Sequence, residues 1–350
     1  MGQGVTKYVS LSLLRWVVLK LFNRHHSIIR DIGLFLPPRI RCLVQKLPAE
    51  FLEKTQELRL RHSRPLMLHW SDGEACLGHC GVVEKAKDAY IIRGEDLEKT
   101  LELISNHSLY AFEEELRQGY ITLPGGHRVG LAGKTVVEKG TIKIISNISG
   151  LNIRFARQVK GTGERVLPFL VDRLSGRLYH TLIISPPQGG KTTMLRDLAR
   201  LISDGSGILV QGKKVGIVDE RSEIAGSFRG VPQLEVGMRS DVLDACPKAE
   251  GIMLMLRSLS PQVIVTDELG READVEAVTE AMHCGVTVIS SVHGSNLEEL
   301  CRRPVLEKLL KNSYFERLVF LSSARGPGTL ESIVEGERGL PLFSSHSKGE

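Results

Sequence analysis

Aromatic side chains make up only 5 % of the 350 residues, and two of them are tryptophan. That scarcity leaves no evident stacking platform for single-stranded nucleic acid, which needs exposed rings to hold successive bases. Cysteine is sparse too: Cys42, Cys76, Cys80, Cys246, Cys284 and Cys301 lie scattered along the chain. A chain of this length buries a sizeable core without covalent staples, and scattered thiols suit a reducing cytoplasm. Cys76 and Cys80 flank His79, but no second ligand pair follows at zinc spacing, so the group does not read as a metal site. No uninterrupted apolar run reaches the roughly 20 residues of a membrane span. In the most apolar stretch, "YVSLSLLRWVVLKLFNRHH", Arg15 and Lys20 interrupt the run, and no small-residue cleavage site follows.

The formal charge of +5 is concentrated at one end: residues 1–35 hold Lys7, Arg15, Lys20, Arg24 and Arg30 against Asp31. The body is therefore close to neutral and lacks the basic face of a nucleic-acid binder, so no nucleic-acid partner is expected. The basic apolar N-terminal extension, 1–35, reads as an interfacial helix on an anionic membrane, a partner-docking helix, or an over-extended gene start. Its apolar residues run nearly all round a helix, which favours the last two.

Two halves follow. Residues 36–160 mix short helices and strands and read as a smaller α+β domain. "PAEFLEKTQELRLR" has helix-like apolar spacing at Phe51, Leu52, Leu58 and Leu60 and passes into the strand "RPLMLHW". "EDLEKTLELISNHS" is an amphipathic helix with Leu97, Leu101, Leu103 and Ile104 on one side. "GYITLPGGHRVGLAG" predicts a hairpin turning at Pro124-Gly125-Gly126. After a linker at 161–177 the rhythm changes, and residues 178–340 alternate apolar runs ("LYHTLIIS", "KVGIVDE", "PQVIVTDE", "GVTVISSVH", "FERLVFLSS") with helical stretches ("GKTTMLRDLARLIS", "SDVLDACPKAEGIMLMLRSLS", "DVEAVTEAMHCG"). Val/Ile runs with helical crossovers indicate a largely parallel sheet buried on both faces. A tail, 341–350, ends the chain.

Ligands on such sheets bind at the carboxyl ends of the strands, where Ser185, Asp219-Glu220, Asp267-Glu268 and His293 all fall. "SPPQGGKTT" resembles the phosphate loop G-x-x-x-x-G-K-[ST] with Ser185 in place of the first glycine. Pro186, Pro187, Gln188, Gly189 and Gly190 form the loop, and Lys191, Thr192 and Thr193 open the helix. Backbone N–H groups and the helix N-terminus would cradle phosphate. Lys191 would reach the β- and γ-phosphates of ATP and the Thr192 hydroxyl would hold Mg²⁺. Asp267 is placed to bind Mg²⁺ through water, and Glu268 to polarise the attacking water. The run "KVGIVDE" lies between loop and acidic pair in the chain, an order that suits hydrolases with an extra central strand. Asp219, Glu220 and Glu223 would repel one another at one mouth unless a cation or arginines offset them; Arg221, Arg239 and Arg257 are the candidates. His293 could sense the γ-phosphate by a hydrogen bond.

The four pieces in this order resemble the RecA-like ATPases of type II and type IV secretion and pilus systems, with their phosphate loop, "Asp box", Walker B motif and "His box". Within that superfamily the chain is most similar to the stage III sporulation AA family of endospore-forming bacteria, over about residues 36–340. "ELRLRHSRPL", "GYITLPGGHRVGLAGK", "LNIRFARQVKG", "SPPQGGKTTMLRDLAR", "VDERSEIAGSFRGVPQLEVGMRSDVLDACPKAEGIMLMLRS", "SPQVIVTDELG" and "SSVHG" carry the resemblance. It implies a RecA-like P-loop core, ATP with Mg²⁺, and a homohexamer. It also implies a place on the cytoplasmic, mother-cell face of the forespore membrane and membrane-embedded sporulation channel proteins as partners. Glu268, Lys191, Glu220 and His293 would be the catalytic set. Arg154, Arg157, Arg239 and Arg257, with Arg59 and Arg61, are candidates to approach a neighbour's nucleotide. The serine start of the loop also suits that family. The motor reading competes with a nucleic-acid-dependent RecA-like ATPase, disfavoured by the neutral body, and with an ATP-binding assembly scaffold, which has no need of Glu268.

Overall fold

The computed structural model describes residues 32–105, 116–117, 119–138, 140–207 and 210–345. They form two compact units: one runs to Phe155 except for Pro124–Gly126, and the other comprises Pro124–Gly126 and the chain from Ala156. Most of the N-terminal extension lies outside the described residues. Ile32 is fully buried and Phe35 packs against the same core, so the last residues assigned to the extension belong to the first unit. Among the described residues no helix is long and apolar enough to cross a membrane.

The first unit opens with α1 (Pro38–Gln45) and α2 (Ala49–Lys54). Four strands follow, β1 (Glu57–Arg61), β2 (Met67–Trp70), β3 (Gly73–Gly78) and β4 (Gly81–Val83), then α3 (Gly94–Ser105). The unit closes with β5 (Tyr120–Thr122), β6 (Arg128–Glu138) and β7 (Thr141–Arg154). Its sheet has the order β4-β3-β2-β1-β7-β6-β5, with every pairing antiparallel. Leu58 and Leu60 do not continue the helix of "PAEFLEKTQELRLR". The helix ends at Lys54, and both leucines alternate inward from β1, where β2 and β7 pair on either side. Period-two burial thus overrides the helical spacing. The hairpin at Pro124-Gly125-Gly126 is present; both glycines have positive φ, 87° and 78°, a region that side chains resist. In α3, Leu97 and Ile104 are buried and Leu101 is half-buried against the core.

The second unit bears out the expected α/β class. Its elements are β8 (Thr181–Ser185), α4 (Lys191–Asp204), β9 (Val215–Asp219), β10 (Ser240–Asp244), α5 (Lys248–Ser258) and β11 (Val263–Thr266). Next come α6 (Glu272–His283), β12 (Thr287–His293), α7 (Leu297–Cys301), α8 (Pro304–Lys311), β13 (Arg317–Ser322), β14 (Thr329–Glu335) and β15 (Pro341–Ser344). The sheet order is β10-β9-β11-β12-β8-β13-β14-β15; the first six strands are parallel and the last two antiparallel.

Every residue of β8, β9 and β11 is buried. Ile183, Ile217, Val265 and Ile289 pack on one face with α4, and Leu182, Val218, Ile264 and Val288 on the other with α5 and α6. Each such side chain contributes about 1.5–3 kcal/mol by leaving water.

Three expectations need correction. "SDVLDACPKAEGIMLMLRSLS" is not one helix: its first five residues are the edge strand β10, paired with β9, and the helix starts after Pro247. Residues 341–344, assigned to the tail, pair with β14. In the linker 161–177, Val166, Leu167, Leu170 and Val171 are buried in the second unit's core.

Candidate functional site

Strand β8 delivers the loop and α4 receives it. Ser185 is the last, fully buried residue of β8, and its Oγ donates to Pro186 O at 3.0 Å. It is not among the residues with positive φ, so the backbone there makes no demand for glycine. The demand falls later. A Cβ on Gly189 would sit 1.9 Å from Ser185 Oγ, and one on Gly190, at φ 90°, would sit 2.4 Å from Gly328 N. These positions form a cradle that a side chain would fill. Pro187 and Gln188 are exposed, Pro186 is half-buried, and Gln188 takes φ 59°. The first helical bond runs from Met194 N–H to Gly190 O. The N–H groups of Lys191, Thr192 and Thr193 therefore have no intrahelical partner and open the helix end to an anion. The Thr192 and Thr193 side chains are half-buried there.

Lys191 is 6 % exposed. Its Nζ donates to Ser185 O and Pro186 O, both at 3.3 Å, and lies 2.9 Å from His293 Nδ1. Burial pushes its pKa down, and Glu268 and Glu223 push it back up. An ammonium can only donate, so His293 Nδ1 accepts and Nε2 carries the ring proton, 2.6 Å from Glu268 Oε1. Loop and acidic pair are thereby joined by three side chains in contact. The strand between β8 and β11 is β12, which carries His293 opposite Ser185. "KVGIVDE", between them in the chain, forms β9 on the far side of β11.

Asp267 and Glu268 follow β11 directly. Glu268 N–H donates to Ser291 Oγ at 3.2 Å, and Leu269 N–H to Ser291 O at 2.9 Å, so β12 sets the chain path of the pair. Asp267 is 5 % exposed, and its pKa is raised to about 6: burial dominates, Lys248 opposes it, and Asp219, Glu223 and Glu268 add to it. A hydroxyl at Thr192 and a carboxylate at Asp267 form a donor set that suits a Mg²⁺ completing its shell with phosphate and water. Among the described residues no group of three or more His, Cys, Asp or Glu forms a metal site by itself.

The three acids of "IVDERSEIAG" part company. Asp219 accepts from Glu223 N–H and Ala225 N–H, both at 2.8 Å, and closes a turn. Buried Arg196 clamps that turn by donating to Ile224 O and Glu223 O at 2.5 and 2.6 Å. Glu220 turns toward Lys248, whose Nζ lies 3.1 Å from Glu220 Oε2, 3.0 Å from Glu268 O and 3.6 Å from Asp267 Oδ1. The cation that offsets the acids is thus Lys248, with exposed Arg221 near Glu268 at 3.6 Å and exposed Arg271 near Glu220 at 3.9 Å.

Two of the expected arginines stand elsewhere. Arg239 donates to Ser203 O at the end of α4, and Arg257 is exposed on the last turn of α5. In the first unit, Arg154 pairs with Glu57 at 3.2 Å, Arg61 meets Met67 Sδ at 2.9 Å and Arg59 is half-buried; Arg157, just inside the second unit, is half-buried too. Sequence reasoning missed Lys248, Ser291 and Arg196. A lysine in the first turn of a helix works against the helix dipole, and that conflict was the one available signal for Lys248.

Strand order and site position together define the RecA-like fold seen in solved secretion ATPases. The ATPase DotB of Legionella pneumophila superposes with a TM-score of 0.53 at 14 % identity, over 81 % of this chain and 77 % of that one. The chain belongs to the family "Sporulation stage III, protein AA", which residues 26–342 match. The match begins ten residues before position 36, inside the stretch read as an N-terminal extension. Stage III sporulation protein AA of Bacillus subtilis is 46 % identical over 305 residues, 87 % of this chain and 94 % of its own length. The uncharacterized protein ycf45 of Porphyra purpurea is 30 % identical over 199 residues, 56 % of this chain and 33 % of its own length.

Proposed function

We propose that the chain hydrolyses ATP with Mg²⁺ and acts as the motor of a transport channel between mother cell and forespore. It would work as a homohexamer at the cytoplasmic face of the mother-cell side, on membrane-embedded sporulation proteins. The observation that carries the reading is the continuous contact from Lys191 through His293 to Glu268. It couples the phosphate cradle to a carboxylate able to take a proton from water.

In this reading the loop N–H groups and Lys191 bind the phosphates, and Lys191 exchanges the carbonyls of Ser185 and Pro186 for phosphate oxygens. Ser185, Pro186, Pro187, Gln188, Gly189 and Gly190 shape the cradle, and Thr193 lies at the helix mouth. Mg²⁺, held by Thr192 and through water by Asp267, would neutralise charge on the phosphates. Glu268 orients and deprotonates the attacking water. His293 loses its Lys191 partner when phosphate arrives, so its hold on Glu268 reports occupancy. Glu220, tethered to Lys248, lines the acidic side. Arg154, Arg157, Arg239 or Arg257 would complete the site from a neighbouring subunit.

The test is ATP hydrolysis by the full chain over a range of protein concentrations, beside Lys191→Ala and Glu268→Gln. Turnover per subunit that rises with concentration and vanishes in both variants supports the motor. A wild type that binds ATP yet turns it over no faster than Glu268→Gln overturns it and leaves an assembly scaffold.

A further inference from the structure

Among the described residues only two lysines are buried, Lys191 and Lys248. The first is explained by the phosphate cradle. The second, 3 % exposed, begins α5 directly after Pro247. The place is unfavourable on two counts: the N-terminal turn of a helix is already positive, and an ammonium taken from water without partners is strongly disfavoured. What compensates is a set of three oxygens from three positions on the acidic edge: Glu220 Oε2 at 3.1 Å, Glu268 O at 3.0 Å and Asp267 Oδ1 at 3.6 Å. The other cations near these acids, Arg221 and Arg271, are solvent-exposed and stand at 3.6 and 3.9 Å, where such pairs contribute little.

We infer that Lys248 is the resident counter-cation of the acidic edge. It holds Glu220 and the Glu268 carbonyl in place, and it keeps free divalent metal off Asp267 until nucleotide delivers that metal. The inference rests on the ATPase reading and adds a positioning residue to it. Its logic is charge balance. Two carboxylates and a carbonyl converging on one point would attract a hard cation. An ammonium already at that point satisfies them and repels a second positive charge at short range. Nucleotide phosphates would change the balance by adding negative charge to the site. Metal then enters as a complex with nucleotide, and the acidic edge stays assembled in the intervals between.

The experiment is a Mn²⁺ titration of the nucleotide-free full chain, read by the paramagnetic resonance signal of free Mn²⁺, an ion with the oxygen preference of Mg²⁺. Wild type and Lys248→Arg are expected to show no saturable site at millimolar Mn²⁺. Lys248→Met is expected to gain one, about 100-fold or more tighter than any wild-type binding, and to lose it again when Asp267→Asn is added. Metal-free ADP binding by Lys248→Met serves as the folding control. If that variant does not fold, Lys248→Gln, which keeps a donor for the Glu268 carbonyl, replaces it. Two results overturn the inference: a wild-type Mn²⁺ site that Asp267→Asn removes, or a folded Lys248→Met that takes up no more Mn²⁺ than wild type. Neither involves turnover, so a wild type that fails to hydrolyse ATP is a separate result that bears on the ATPase reading.

Discussion

Asp219 and Asp267 end or follow adjacent parallel strands, β9 and β11, and both are almost wholly buried, at 0 % and 5 % exposure. Burial raises the pKa of each. Their surroundings differ. Asp219 is consumed by two backbone N–H groups of its own turn, so its carboxyl serves the fold. Asp267 meets a lysine at 3.6 Å and stands beside the residue joined to His293 and Lys191. The same residue type at the same edge of one sheet is tied into the fold where backbone N–H groups saturate it, and in the proposed reading takes up metal where a lysine side chain faces it.

Four measurements would break or sharpen that contrast. The largest effect is expected at Asp267. Asp267→Asn should lower ATP hydrolysis about 1,000-fold, some ~4 kcal/mol of barrier, with little change in melting temperature. A comparable loss of stability would make Asp267 a second Asp219. Conversely, Asp219→Ala should lower the unfolding free energy by about 3 kcal/mol in urea titrations, because two buried N–H groups lose their acceptor.

His127, in the first unit, isolates the effect of burial, which alone brings its pKa from 6.5 down to about 4. The unfolded chain binds the proton more tightly, so stability is full above pH 6.5 and falls as pH drops toward 4. The loss should be roughly 2–3 kcal/mol, and His127→Gln should remove it from the pH profile. The smallest effect is at the junction of the two strands, where Thr266 Oγ1 donates to Val218 O at 3.1 Å. Thr266→Val should cost about 1 kcal/mol and leave the hydrolysis rate unchanged.

The parts of the fold legible in the sequence were those where burial on both faces enforces long apolar runs: β8, β9, β11 and β12. The edge strand β10, "SDVLD", has one exposed position and partial burial elsewhere, so its pattern merges with the helix behind it. β1 was misread because Leu58 and Leu60 extend a short helix's spacing by chance of register. At the site, contiguous residues such as Gly189-Gly190-Lys191-Thr192 are visible because the chemistry needs them in one loop. Lys248 is 28 residues from Glu220 and 20 from Glu268, and a lysine at a helix start reads as surface until the sheet order brings three elements together. Which strand separates the loop from the acidic pair in the sheet was likewise a matter of topology, which chain order does not give.

The close approach of Gly190 to Gly328 extends beyond geometry. A side chain at position 190 would have to displace the backbone at 328, whose N–H also bonds Gly189 O at 3.0 Å. These positions lie 138 residues apart in the chain. Selection on one is therefore selection on the other, and a side chain at position 190 is tolerated only together with a changed backbone in the turn at 328.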